Sequence, residues 1–375
     1  MLLMFMGAVC TTTQGMLLTD FIDHYSLESS TQGFMSAFQS AGNIVALLMV
    51  VFFIGKVRKI NVITLSAFLI PAVFFVLGQK PMFVLLLICY CVYGVAFGFL
   101  DSLTSSIMVD LYTEKASGYM NVLHGVYGIG GFLGPIFMKY LGGAGLEWDR
   151  ILFVLCAMSA AAALLYSAAA YPSYKDKETL TENASGVTRS DVLDFFRKGK
   201  KKVLLLCALL YGAHQIGITV WMTRYISEYL SSPAYGPLAL SLFWLGIAVS
   251  RLLVSRFDFD PVKVVIVGHI LSGLAVAVGV FSGSGIIMMA CCGVAGFFEG
   301  SVLPMTLYLS CSWTSANTAL GSSMILFAHY IGFVFTSPLI GFAISAVGVT
   351  FGMMIPAISS FAAAILAVAL VGRGR

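Results

Sequence analysis

Residues 94–135 read GVAFGFLDSLTSSIMVDLYTEKASGYMNVLHGVYGIGGFLGP. The first part predicts an apolar helix that carries one acid, Asp101, about ten residues before its polar end. A short charged turn follows around Glu114 and Lys115. A second helix then carries Asn121 and His124 and a Gly-rich face from Gly125 to Gly134. A carboxyl group in hydrocarbon costs several kcal/mol unless it is paired or wetted, so Asp101 reads as a functional group held inside a membrane.

The rest of the chain agrees with a membrane setting. Of its 375 residues 59% are hydrophobic and only 10% are charged, with a mean hydropathy of +0.95. A soluble domain carries roughly 25% charged residues, so water-soluble folds are excluded. At about 20 apolar residues per crossing, the length accommodates about twelve spans. We place them at roughly 2–19, 32–54, 61–78, 82–110, 118–142, 150–171, 203–227, 238–256, 260–281, 284–310, 316–345 and 348–371. The segment Met1–Leu18 lacks a basic leader and a cleavage site, and is read as the first span.

Basic residues test this map. With the N-terminus inside, 17 of the 21 Lys and Arg residues fall on the inner side. Only Lys80, Lys139, Arg150 and Arg224 fall outside. The positive-inside rule demands this bias, and a missed span would scramble it. Both termini are therefore expected in the cytoplasm, and a bacterial inner membrane is the expected location. The net charge of +4 sits in loops beside spans, so nucleic acid is not an expected partner.

The one long hydrophilic segment, Pro172–Lys202, divides the chain into a six-helix bundle (1–171), a linker (172–202) and a second six-helix bundle (203–375). Within the linker, Ser190-Asp191 can cap a short helix. Val192, Leu193, Phe195 and Phe196 share one face, and Arg197–Lys202 is strongly basic. That pattern predicts an amphipathic helix on an anionic lipid surface. The sequon Asn183-Ala184-Ser185 lies in this same inner loop. The two halves repeat. Gly98-Phe99-Leu100-Asp101-Ser102 in span 4 mirrors Gly296-Phe297-Phe298-Glu299-Gly300 in span 10. One span later each is followed by a histidine and a proline, His124 with Pro135 and His329 with Pro338. Such duplication is typical of transporters. The fold class expected is an all-α membrane protein of about twelve helices in two pseudo-symmetric bundles.

Two six-span halves, a basic linker and the basic turn Gly55-Lys56-Val57-Arg58-Lys59 after span 2 resemble the major facilitator superfamily. The turn after span 8 keeps Arg251 and Arg256. The resemblance implies that Arg58, Lys59, Arg251 and Arg256 close a cytoplasmic gate, with Asp110 or Glu114 as acidic partners. Gly130-x-x-x-Gly134-Pro135 resembles the core of the superfamily's span-5 antiporter signature, although its closing Gly-Gly is absent. The Asp101 stretch is similar to the fucose–galactose–glucose proton symporter family, which has a carboxylate in span 4. The run Tyr211-Gly212-Ala213-His214-Gln215 with Trp221 resembles that family's span 7, with His214 in place of an acid. The family also places an acid in span 1, where this chain has Gln14.

Candidate residues follow from chemistry and depth. Asp101 and Glu299 occupy equivalent helices of the two halves and are the expected proton carriers. Desolvated carboxyl groups can load and release protons as a cavity alternates. His124, His214 and His329 can relay protons or bind a polar solute, although a helical histidine also serves as a plain packing residue. His269 lies in span 9, which is peripheral in this superfamily, and is set aside. Gln14, Asn121 and Gln215 can donate to and accept from hydroxyls, or simply tie helices together. Tyr127, Tyr211, Trp221 and Tyr330 can stack on an apolar sugar face or pack. The glycines of span 5 fail the dinucleotide spacing at Leu133, and close helix packing is their expected role. No cysteine or histidine set has metal spacing, and no nucleophile–base pair points to an enzyme. Neither cofactor nor metal is expected. The expected function is transport of a small neutral polar solute, with a sugar as candidate, coupled to protons in a monomer surrounded by lipid. The alternative is a proton-driven exporter of amphiphilic drugs or metabolites.

Overall fold

A computed structural model of the protein describes residues 1–26, 34–53, 57–175, 188–197, 199–314 and 317–371. The side chains of Gln14 and Pro135, residues Gly55 and Lys56, and the sequon at 183–185 lie outside the described residues. Among the described residues every regular element is helical. Hydrocarbon offers no partner for a backbone N–H or C=O, so each apolar run must satisfy its own main chain by coiling.

The first six spans are α1 (Leu2–Met16), α3 (Phe34–Phe53), α4 (Lys59–Leu77), α5 (Phe83–Leu111), α6 (Ala116–Gly143) and α7 (Trp148–Lys175). The short α2 (Leu18–Tyr25) continues from α1, and a single 3-10 turn, Thr113–Lys115, joins α5 to α6. The linker segment contains α8 (Arg189–Arg197), whose Phe195 is buried beneath the Lys201 ammonium, 4.9 Å from the ring centroid. Span 7 starts as α9 (Gly199–Ile216) and continues through a π-helical turn (Gly217–Trp221), α10 (Met222–Arg224) and a second π-turn (Tyr225–Tyr229). The remaining spans are α11 (Tyr235–Val254), α12 (Pro261–Ser282), α13 (Gly285–Gly300) continued by α14 (Val302–Trp313), α15 (Thr318–Ala346) and α16 (Val349–Val368). Ten of these helical runs are individually long and apolar enough to cross a bilayer; α1 and the Gly-rich α6 complete twelve. Large side chains such as Phe281 and Ile365 are 70% and 73% exposed. An apolar outer surface of this kind is stable against lipid, not water.

Local chemistry sets the ends of the helices. Asp260 precedes Pro261 and its carboxylate accepts from the N–H groups of Val262 (2.8 Å) and Lys263 (3.2 Å), a cap that starts α12. Gly283, at φ 61°, ends the same helix in the left-handed region. The Asn317 side chain caps α15 by accepting from the Leu320 N–H.

The helices form two compact units, Met1–Ser105 with Val126–Thr188, and Ser106–Gly125 with Arg189–Arg375. In the first, the Tyr93 hydroxyl donates to the Gly7 carbonyl (3.0 Å) and meets the Thr11 hydroxyl (2.8 Å), which fastens α5 to α1. The second holds the second-half spans together with the adjoining ends of α5 and α6. Its apolar core gathers Ile218, Met222, Phe243, Met288 and Met353.

The sequence repeat is also a packing repeat. A Cβ on Gly98 would stand 3.0 Å from the Asn43 carbonyl oxygen, and one on Gly296 would overlap the Phe243 carbonyl oxygen. Asn43 and Phe243 are 200 positions apart, Gly98 and Gly296 198. Each half thus presses its second and fourth spans together through an equivalent glycine.

Candidate functional site

The second unit buries an unusual amount of chemistry. His214, His269 and Glu299 are fully buried, and Arg251, His124 and His329 nearly so. Each stands on a different span: α9, α12, α13, α11, α6 and α15 respectively. In hydrocarbon, such groups persist only where they hold one another or serve a solute.

His214 is the best-held of them. Its Nδ1 lies 2.8 Å from the Pro356 carbonyl oxygen on α16 and its Nε2 2.7 Å from the Ser272 hydroxyl on α12. Ser272 in turn donates to the Ala295 carbonyl at 3.0 Å. Glu299 flanks the ring, with Oε2 3.3 Å from Nε2, within ion-pair range but outside hydrogen-bond alignment. Gly217 makes room for this arrangement: a Cβ there would collide with the Pro356 ring. The π-turn that begins at Gly217 therefore lies where α9 meets α16, a common association of π-bulges with functional sites.

Donor counting gives the proton inventory. A carbonyl only accepts, so His214 Nδ1 carries a hydrogen. Ser272 has a single proton to give: where it goes to Ala295, the serine oxygen accepts from an Nε2–H and the ring is an imidazolium, and where it goes to Nε2, the ring is neutral.

Around this pair lie polar atoms without partners among the described residues. They are the Tyr211 hydroxyl, His329 Nδ1, His269 Nε2 and both oxygens of Glu299 itself; Asn121 Oδ1, on α6, is likewise buried without a partner. The Tyr211 ring stands 5.3 Å from that of His329 and 6.2 Å from that of His269. Buried polar atoms are almost always paired, so a group of five marks a surface made for water, protons or a polar solute. Gln215 is buried one residue after His214, and Tyr330 packs against the His329 ring. Trp221 donates its indole N–H to the Ser337 hydroxyl at 3.1 Å, tying span 7 to span 11.

Arg251 uses main chain rather than acids. Its Nε donates to the Gly300 carbonyl (2.6 Å) and its Nη1 to the His124 carbonyl (2.9 Å). Asp110 accepts instead from the Thr318 hydroxyl at 2.8 Å. Gly118 lies over Ser255, where a Cβ would stand 3.0 Å from the serine carbonyl oxygen. The hairpin of α5 and α6 is thus clasped to α11 and α15 within one compact unit. Arg256 and Glu114 are exposed.

The first unit holds the other candidates. Asp101 is buried in α5, as is the neighbouring Ser102. The Tyr127 ring lies 5.8 Å from that of Phe97. Arg58 is the N-cap residue of α4 and Lys59 its first residue, both half-buried.

Sequence reasoning named His214, Glu299, Tyr211 and His329, which the second unit places together, and Asn121, which the same unit buries on α6. It missed Ser272, and it set His269 aside with span 9. His269 is fully buried, its Nδ1 3.2 Å from the Ser360 hydroxyl. The spacing His269-x-x-Ser272, one helical turn, was the available signal.

The family model described as Major Facilitator Superfamily matches residues 1–258 and 204–375. Comparison of the sequence with curated proteins gives no significant match. Among solved structures, the chain is similar to the E. coli fucose:proton symporter FucP (N162A), at 18% identity and a TM-score of 0.79, covering 98% of this chain and 96% of that one. It is also similar to the human organic anion transporter MFSD10 (14%, TM-score 0.75, 98% and 97%). A third likeness is to the proton:xylose symporter XylE (14%, TM-score 0.72, 99% and 93%).

Proposed function

Since this chain belongs to the major facilitator superfamily, we propose that it is a secondary active transporter that moves a small neutral polar solute, with a sugar as candidate, by alternating access coupled to protons. The observation that carries this reading is the buried His214–Glu299 pair, with five polar atoms in and around it that have no partner among the described residues. A purely structural core has no use for them. A transporter needs them twice, once to hold a proton out of water and once to replace the hydration of a solute's hydroxyls.

In this reading Asp101 and Glu299, with His124, His214 and His329, handle the proton. Asn121, Gln215, Tyr127, Tyr211, Trp221, Tyr330 and Gln14 face the solute. Arg251, Asp110, Arg58, Lys59 and Arg256 belong to the cytoplasmic gate, a reading supported by the hydrogen bonds of Arg251 and Asp110. Residues 1–171 and 203–375 act as the two rocking bundles. The segment 172–202 lies on the inner leaflet of a bacterial inner membrane, with both termini on the same side. The chain works as a monomer. Support from outside the site comes from two structural likenesses, FucP and XylE, which are proton symporters of fucose and xylose.

The test is transport by purified protein in liposomes with an internal pH dye. Pooled sugars are added first, then pooled lipophilic cations, with Asp101→Asn and Glu299→Gln as controls. Inward proton flux evoked by sugars and lost in Glu299→Gln is the expected result. Proton release driven by the cations, with none driven by sugars, would replace the symporter by an exporter.

A further inference from the structure

We propose that Ser272 is a positioning residue for the proton of the second bundle, held in a triad of His214, Ser272 and Glu299. The proposal rests on the proton-coupled reading above for its meaning in transport, but its test reads the proton directly.

The triad has two self-consistent arrangements. In one, Nε2–H of an imidazolium donates to the Ser272 oxygen (2.7 Å), and Ser272 donates to the Ala295 carbonyl (3.0 Å). When the Nε2–H bond breaks, its electron pair stays on the nitrogen and the proton leaves to water in the open cavity. The Ser272 O–H can then turn from Ala295 to Nε2. The Ala295 carbonyl is not stranded, because it keeps the N–H of Glu299 one turn ahead in α13. Nδ1–H stays on the Pro356 carbonyl (2.8 Å) in both arrangements. One hydroxyl rotation therefore keeps every atom but the carboxylate satisfied, whether or not the proton is present. An apolar residue at 272 would leave Nε2 orphaned in a fully buried place.

The surroundings leave the triad as the place for the extra charge. Among the described residues, the titratable and charged groups that stand around His214 are Tyr211 on its own helix, His269 on α12 and Glu299 on α13, then His329 on α15 against the Tyr211 ring and Arg251 on α11, bound to the Gly300 carbonyl next to Glu299. From α16 come only a carbonyl and the Ser360 hydroxyl, which donates to the His269 carbonyl. Glu299 is the only acid in that set. His269 has no acid against it: its Nδ1 lies 3.2 Å from the Ser360 oxygen and its Nε2 has no partner among the described residues.

The experiment uses full-length protein in lipid nanodiscs with 15N-labelled histidine, read by solid-state NMR and assigned with His214→Gln. At pH 7 the His214 ring is expected to show two protonated nitrogens. In Ser272→Ala the ratio of doubly to singly protonated ring falls about tenfold, because a charge-assisted acceptor is lost. Ser272→Thr, which keeps the hydroxyl, restores it. A singly protonated ring in the wild type throughout pH 5–8 overturns the proposal, as does a Ser272→Ala spectrum equal to wild type. If Ser272→Ala does not fold, the wild-type pH series and Ser272→Thr decide the question by the same criterion. A triad that gains and loses the proton in a protein showing no solute-driven proton flux would sink the transport reading and leave this one standing.

Discussion

Arg251 donates to the backbone carbonyl of His124 at 2.9 Å, so one side chain of α11 holds the main chain of α6. Its other bond, to the Gly300 carbonyl, fixes the guanidinium on α13. A hydrogen bond from a charged donor is worth about 2 kcal/mol net. Arg251→Ala should therefore raise the population of the parted hairpin about 30-fold. Ser255→Cys, beneath Gly118, reports this by maleimide labelling in a background without the eight native cysteines. Faster labelling in Arg251→Ala is expected, and an unchanged rate would remove Arg251 from the gate. Arg251→Lys restores little, because a point-charge ammonium cannot span both carbonyls.

The Asp110–Thr318 bond, at 2.8 Å, clasps the neighbouring end of the hairpin. Asp110 is exposed, so water competes for its carboxylate. Thr318→Val should weaken the clasp by about 1 kcal/mol, a roughly five-fold rise in labelling of the same reporter cysteine. Combined with Arg251→Ala, the two effects should add, since they act through separate partners. An effect of Thr318→Val as large as that of Arg251→Ala would make the threonine, not the arginine, the main latch.

A surface cluster outside the spans predicts a pH dependence. Lys80 bonds Glu147 at 3.1 Å and approaches Asp149 at 3.4 Å. The hydrogen bond to Glu147 comes first among the influences and raises the lysine above its ordinary range; burial, next, opposes it, and the Asp149 and Glu147 charges add to the rise. A raised lysine stabilises the folded state fully below its unfolded value and loses that contribution as pH climbs through the folded value. Glu147→Gln should thus melt slightly below wild type at pH 7, with the gap shrinking in high salt. The gap should close above about pH 11, beyond the ordinary lysine range. A gap that persists unchanged well above pH 11 would show that packing on Trp148, and not charge, anchors Lys80.

Spans were legible because lipid demands a run of about 20 apolar residues and punishes charge within it. The expected 82–110 and 348–371 became Phe83–Leu111 and Val349–Val368. Span 7 was legible only as a length. Its two π-turns rest on a one-residue shift in hydrogen bonding, the first beginning where Gly217 meets Pro356, and no periodicity records that. Glu299 and His214 were visible because a polar group in an apolar run is conspicuous. Ser272 was not, because serine is common in such helices and α12 is apolar on every side, so its inner face carries no pattern. The partners of Arg251 were sought among acids, which have a sequence signature. The chain uses carbonyls, which every residue has.

The packing repeat makes a sharper test of the duplicated architecture than any sequence match. Gly296→Ala sets a Cβ into the Phe243 carbonyl, which is backbone and cannot step aside. Gly98→Ala brings its Cβ to 2.9 Å from the Ala46 methyl and 3.0 Å from the Asn43 carbonyl, a milder crowding. Overpacking of this kind costs about 1–3 kcal/mol, and the second half should suffer more than the first. Melting of the detergent-solubilised variants should rank wild type above Gly98→Ala and Gly98→Ala above Gly296→Ala. Removing bulk at Phe243 should not rescue Gly296→Ala, because the obstacle is main chain and not the ring. Rescue by Phe243→Ala would instead mean that α11 can retreat from α13, and the close approach through glycine would no longer be what fixes that pair.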